Sequence, residues 1–169
     1  MVYINKGVNR KGQTFTSDFF VSAIIFMFIL NISYITWNSA QDVTAEFESD
    51  NMQKKIFYIT DMLTRTPGYP YGWNSTDVEL IGLSDSSNMI NSSKLDELQN
   101  MSYYNMTFLW GITDYEFNLT VSGDYTYKTF GKDIDHDARH ITHIERVVLI
   151  DYGNGAIDKG YLKYTLWKM

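Results

Sequence analysis

Cysteine is absent from the 169 residues, so no disulfide and no thiolate-built zinc or iron–sulfur site can form. A domain of this composition has to be held by its apolar core, without cross-links. The chain also lacks a phosphate-binding glycine loop, a nucleophile elbow and a dinucleotide fingerprint, and no cofactor is expected. Positive charge is scarce: 14 basic residues stand against 20 acidic ones, for a formal net charge of −6. Nucleic acid, whose phosphates demand a basic face, is therefore not an expected partner. Long apolar runs are scarce too. There is one, from Phe19 to Trp37, and no second span follows it.

That run is the most informative stretch of the chain. FFVSAIIFMFIL carries no charge, and ILNISYITW continues it with uncharged polar residues only. At about 1.5 Å per residue it makes a helix of roughly 28 Å, close to the ~30 Å core of a bilayer. Lys6, Arg10 and Lys11 precede it, while Asp42, Glu46, Glu48 and Asp50 follow. The positive-inside rule then places the N-terminus in the cytoplasm and residues from 38 onward outside. A cleaved secretory signal fits less well: Ser39 and Ala40 are small, but Trp37 and Asn38 intervene and the run is long. A core helix of a soluble domain would show a polar face, and this run has none.

The junction upstream reads Arg10-Lys11-Gly12-Gln13-Thr14-Phe15-Thr16-Ser17-Asp18-Phe19. It resembles the class III signal of archaeal type IV pilin-like proteins, which a prepilin peptidase cuts ahead of the apolar segment. The resemblance implies that Gly12 ends the leader and Gln13 begins the mature chain. It implies further that the apolar helix serves first as a membrane anchor in lipid, then as filament core against other pilin-like subunits. Major pilins tend to carry Glu as the fifth mature residue. Here Ser17 holds that place, and the acid, Asp18, comes one residue later, as expected of a minor or pilin-like subunit. A second resemblance to archaeal pilin-like membrane proteins lies in Thr66-Pro67-Gly68-Tyr69-Pro70 with Trp73. It continues through Ile81-Gly82-Leu83, Lys94-Leu95 and Leu109-Trp110-Gly111-Ile112.

With 44% hydrophobic and 16% aromatic residues, the chain supports one domain plus an anchor. Losing a leader with three cations and no acids moves the formal charge from −6 to −9. No proline or glycine occurs from Asp42 to Arg65, and Val43, Phe47, Met52, Ile56, Ile59 and Leu63 form a helical stripe. The five-residue step from Phe47 to Met52 marks a change of face. Pro67-Gly68 ends the helix. The periodicity predicts one helix from about Thr14 to Thr64, roughly 75 Å long; two helices broken between Trp37 and Gln41 are the alternative.

Beyond Pro67, alternation predicts strands at Met106 to Trp110, Tyr115 to Val121, Glu145 to Tyr152 and Gly160 to Trp167. The last two flank a hairpin over 153–159. A short helix is expected from Ser93 to Tyr103, with Leu95, Leu98 and Met101 inward. The expected fold is α+β, a long apolar helix carrying an antiparallel sheet, similar to a type IV pilin. Its parts are a leader (1–12), a span (13–37), an amphipathic continuation (38–66) and an extracellular β-rich domain (67–169).

Six Asn-x-Ser/Thr triplets occur. Asn31 lies in the span; Asn74, Asn91, Asn100, Asn105 and Asn118 are candidates for N-glycosylation on one sugar-covered face. All three histidines, His136, His140 and His143, lie in one charged stretch with Asp137. On a helix they would suit a divalent metal. The stretch leads into a strand, however, and reads as a solvated loop, so no metal and no catalysis are expected. Asp151, Asn154 and Asp158 lack the ligand density of a calcium loop. Tyr69, Tyr71 and Trp73 read first as packing residues and second as an exposed patch. Two functions follow: a pilin-like structural subunit, or an uncleaved, membrane-anchored surface binding module.

Overall fold

The computed structural model describes residues 10–135 and 137–168. The expected leader therefore lies outside the described residues up to residue 9, as does His136. The element order is α1 (Arg10–Arg65), β1 (Ser84–Ser86), β2 (Met89–Asn91), α2 (Ser92–Gln99), α3 (Tyr103–Leu109), β3 (Glu116–Ser122), β4 (Tyr127–Gly131), β5 (Arg139–Asp151) and β6 (Ile157–Lys168). Two compact units result, Met1–Phe47 and Glu48–Met169, and their boundary falls inside α1. The fold is α+β, with a long apolar N-terminal helix and a mixed sheet.

In the first unit, α1 passes through Trp37 to Gln41 without a break. It is long and apolar enough to cross a bilayer, and its apolar window is entirely unburied. The large apolar side chains from Phe19 to Trp37 are 49% to 68% exposed. A polar group in such a segment needs an internal partner, and the Thr36 hydroxyl finds one, donating to the Ile32 carbonyl at 2.9 Å.

In the second unit, the helical stripe becomes core. Met52, Ile56, Ile59 and Leu63 are at most 1% exposed, whereas Val43 and Phe47 upstream remain about two-thirds exposed. The five-residue step in the sequence thus marks where burial begins. These four side chains join one cluster with the inward residues of the sheet: Phe117, Leu119 and Val121 of β3, Phe130 of β4, Val148 and Ile150 of β5, Leu162, Tyr164 and Leu166 of β6. At about 1.5–3 kcal/mol for each fully buried aliphatic side chain, the stripe contributes on the order of 10 kcal/mol before entropy is charged. Aromatic stacking fills the centre, with Phe117 lying between Tyr103 (5.1 Å, stacked) and Trp110 (4.9 Å, edge-on). Arg146 of β5 reaches back to the helix, donating to Thr60 Oγ1 (3.1 Å) and Asp61 Oδ1 (3.3 Å) while lying over the Phe57 ring.

The sheet order is β1-β2-β5-β6-β3-β4. All pairings are antiparallel except β2 with β5, which is parallel. The expectation of a purely antiparallel sheet is corrected here. The chain between β2 and β5 holds two helices and two strands, long enough for the crossover that a parallel pair requires. Strands β3, β5 and β6 fall where alternation put them, although β5 starts six residues early. The expected strand at Met106 to Trp110 is instead α3 followed by a turn. Ser102 caps it by accepting from Asn105 N. Met106, Thr107 and Trp110 are buried at helical spacing, while Phe108 points out at 64% exposure. The helix expected over Ser93 to Tyr103 is α2, capped by Asn91 and ending at Gln99, and α3 begins only at Tyr103. Leu95, Leu98 and Met101 are buried as expected.

Ile59→Ala should lower unfolding stability by about 2–5 kcal/mol, read by chemical denaturation, while Phe57→Ala on the outward face should cost under half as much. Acid should weaken the unit through Glu116. Burial alone would raise its carboxyl, but the Lys132 ammonium (2.8 Å) and the Tyr103 hydroxyl together hold it below the usual range. A depressed carboxyl stabilises the folded state above its unfolded value of 4.5, and that stability fades as pH falls through the folded value. Glu116→Gln should therefore flatten the loss of stability below about pH 4.5.

Candidate functional site

Two places carry the residues singled out by the sequence. The first is the apolar surface of α1. Asp18 stands on it, exposed, one residue before Phe19. Gly12 and Gln13 lie in the first turn of the helix as it is described. A helix with apolar side chains on every face and no charge from Phe19 to Trp37 has no polar face to turn to water, so it needs lipid or another helix around it.

The second place gathers the Thr66-Pro67-Gly68-Tyr69-Pro70, Trp73, Ile81-Gly82-Leu83 and Lys94-Leu95 pieces into one clasp. Trp73 is 3% exposed, and its indole N–H is shared between the carbonyls of Pro67 (3.1 Å) and Gly82 (3.0 Å). Gly68 has φ +82°, open to glycine and strained for other residues. Gly82 passes so close that an added Cβ would stand 2.3 Å from Gly68 N and 2.4 Å from the Thr66 carbonyl. Lys94, 8% exposed, donates to the Pro67 carbonyl at 2.9 Å and pairs with Asp85 at 2.9 Å, its ammonium over the Tyr71 ring. Burial acts to raise the Asp85 carboxyl, yet Lys94 and the Asn91 amide hold it below the usual range. Ile81, Leu83 and Leu95 are fully buried. The order of these pieces is thus the order of contacts closing the C-terminal end of α1 onto the sheet. Tyr69 and Tyr71 project from it, 60% and 69% exposed. The aromatic triad splits, one ring packing and two facing solvent.

Four of the five candidate acceptor asparagines lie on or beside the two short helices. Asn74 and Asn91 line one cleft of about 410 Å³ with Tyr71, Asp85 and Lys94. Asn105 lines a smaller one of about 140 Å³ with Ser75 and Thr76. Asn74, Asn100 and Asn105 are exposed. Asn91 is engaged: its amide donates to Asp85 and its oxygen caps Ser93 N, both within 2.8 Å. Asn118 sits apart on β3, paired between β4 and β6, with its amide donating to the Lys132 carbonyl at 2.8 Å.

His140 and His143 belong to β5 and are exposed; a bulge lies between Arg139 and Thr142, and His140 has φ 50°. No group of three His, Cys, Asp or Glu side chains able to hold a metal occurs among the described residues. The oxygens of Asp151 and Asn154 accept from Gly153 N (2.8 Å) and Ala156 N (2.9 Å), and Asp158 accepts from Asp124 N. They brace turns.

No family model, curated protein or solved structure matches the chain.

Gly82→Ala should cost about 1–3 kcal/mol, because the two nearest atoms to the new methyl, Gly68 N and the Thr66 carbonyl oxygen, are backbone and cannot swing aside. Gly72→Ala, with nothing within 4 Å, is the neutral control. Thermal unfolding of both variants reads the difference.

Proposed function

We propose that the protein is a pilin-like structural subunit of an archaeal type IV pilus-like surface filament or of its initiating or tip complex, made as a precursor and trimmed by a prepilin peptidase. The observation that carries the reading is the charge-free, predominantly apolar surface of α1 from Phe19 to Trp37, uncovered among the described residues. A basic-then-glycine junction, Arg10-Lys11-Gly12, precedes it, with Gln13 to Asp18 between. A helix of this kind needs a non-aqueous partner at every stage: lipid before assembly, the same helices of sister subunits afterwards. Trimming after Gly12 removes the cations that would otherwise hold the N-terminus at the membrane surface. The second unit then faces outward, and exposed Asn74, Asn100 and Asn105 are its best-placed glycan acceptors.

The second reading is an uncleaved, single-span protein whose outer unit binds a surface ligand. It is favoured by the displaced acid: a carboxylate at residue 18, rather than 17, does not match the position that in major pilins answers a neighbour's amine.

Sequencing the N-terminus of membrane-extracted protein separates the two. The first reading expects a chain beginning at Gln13; a chain retaining Lys6 to Gly12 overturns it. Asp18→Ala should leave membrane insertion intact and reduce recovery of the subunit in sheared surface material at least several-fold.

A further inference from the structure

Of the five asparagines in Asn-x-Ser/Thr triplets of the second unit, exposure alone leaves Asn74, Asn100 and Asn105 open. The hydrogen bonds of each triplet separate them further. A glycan is joined to the side-chain amide nitrogen, so an acceptor needs that nitrogen free and presented. The amide of Asn91 donates to Asp85 Oδ2 at 2.7 Å, and that of Asn118 donates to the Lys132 carbonyl at 2.8 Å. Asn105 lies inside α3, and the hydroxyl of its triplet, on Thr107, is buried and donates to the Tyr104 carbonyl. In the Asn100 triplet the hydroxyl belongs to Ser102, which caps α3 by accepting from Asn105 N at 3.2 Å.

Asn74 differs from all four. Its Oδ1 accepts from both Thr76 N (2.9 Å) and Thr76 Oγ1 (2.6 Å). The triplet's backbone is pinned as well: Asn74 N donates to Asp77 Oδ1 at 2.8 Å and Ser75 N to Glu97 Oε2 at 3.1 Å. With the oxygen turned back onto Thr76, the nitrogen is the end of the amide that faces away from the turn. Asn74 also lines the cleft of about 410 Å³, a volume within the roughly 300–1,000 Å³ of small-molecule sites. Tyr71 stands three residues earlier, in a turn that Trp73 N closes onto the Pro70 carbonyl at 3.0 Å. The Lys94 ammonium holds one face of the Tyr71 ring, 5.3 Å from its centre, and the residue is 69% exposed, so the other face is open. The C–H face of a pyranose packs on such a ring, because apolar area leaves water and the C–H groups meet the electron-rich face. Ser93 and Glu97 line the same cleft and offer a hydroxyl and a carboxylate to the sugar's own hydroxyls.

We infer that Asn74 is the glycan acceptor of the second unit and that its first sugar is seated in this cleft against Tyr71. This rests on the reading in which the second unit faces outward. The donor is a saccharide carried at its C1 by a polyprenyl phosphate or diphosphate. Asn74 Nδ2 attacks C1, and the N–C1 bond forms as the C1–O bond breaks. The lipid phosphate leaves with the electron pair, and Nδ2 gives up one proton to solvent. Seated on Tyr71, the sugar adds a contact to the clasp in a chain that can form no disulfide.

Glycopeptide mass spectrometry of the native full-length protein should find occupancy at Asn74 at least tenfold above that at Asn91, Asn100, Asn105 or Asn118. A smaller ratio, or a bare Asn74, overturns the inference. A bare Asn74 in cells whose Asp124→Cys variant is labelled by a membrane-impermeant thiol reagent would leave the outward reading standing, whereas an unlabelled Asp124→Cys overturns both. The seat is read separately, by comparing glycosylated protein with the bare chain made in a host that lacks N-glycosylation. In detergent micelles the glycosylated second unit should unfold roughly 2–4 °C higher. Tyr71→Ala should remove that gap while keeping the glycan, and Tyr71→Phe should retain it. An equal gap in glycosylated Tyr71→Ala protein shows that the sugar does not sit on the ring, and overturns the seat.

Discussion

Apolar side chains from Phe19 to Trp37 cannot stay in water, and among the described residues nothing covers them. A run of this length exposes far more contiguous apolar surface than a soluble protein carries without a partner. Every functional reading follows from how that cover is supplied. A bilayer supplies it at once, since the helix satisfies its own backbone and even the Thr36 hydroxyl bonds internally. A bundle of like helices would supply it equally well.

The same helix meets the opposite requirement after residue 47. From Met52 onward one stripe is buried to completion, and the rest of α1 carries Asp50, Lys54, Asp61 and Arg65, two pairs at i, i+4 spacing. These pairs are exposed and add little each. The sheet is held by the stripe, by the Phe117–Tyr103–Trp110–Tyr164 ring cluster, and by the clasp in which Trp73 and Lys94 satisfy otherwise stranded carbonyls. With no disulfide available, buried hydrogen bonds of this kind fix the loop geometry that a cross-link fixes elsewhere.

Much of this was legible in the sequence because long periodic segments carry their own signal. The α1 stripe, the inward face of α2 and strands β3, β5 and β6 follow from spacing alone. Three features did not. β1 and β2 are three residues each, too short for alternation to show. At Met106 to Trp110 an outward-facing Phe108 imitated strand alternation inside a helix. The parallel β2–β5 pairing depends on contacts between residues about 60 apart, which no local pattern encodes. For the candidate site, the Pro67–Trp73 and Ile81–Leu83 pieces were visible as a recurrent order. Their role as a clasp was not, because it rests on Gly82 passing against Gly68 and on Lys94 reaching the Pro67 carbonyl.

The claim that α1 is covered by lipid at its apolar end is tested most directly with a single cysteine. Ile25→Cys, in an otherwise cysteine-free chain, should be inert to a water-soluble thiol reagent in native membranes and react only after detergent is added, while Asp124→Cys on the second unit reacts in both. Equal labelling of Ile25→Cys before and after detergent would contradict the account.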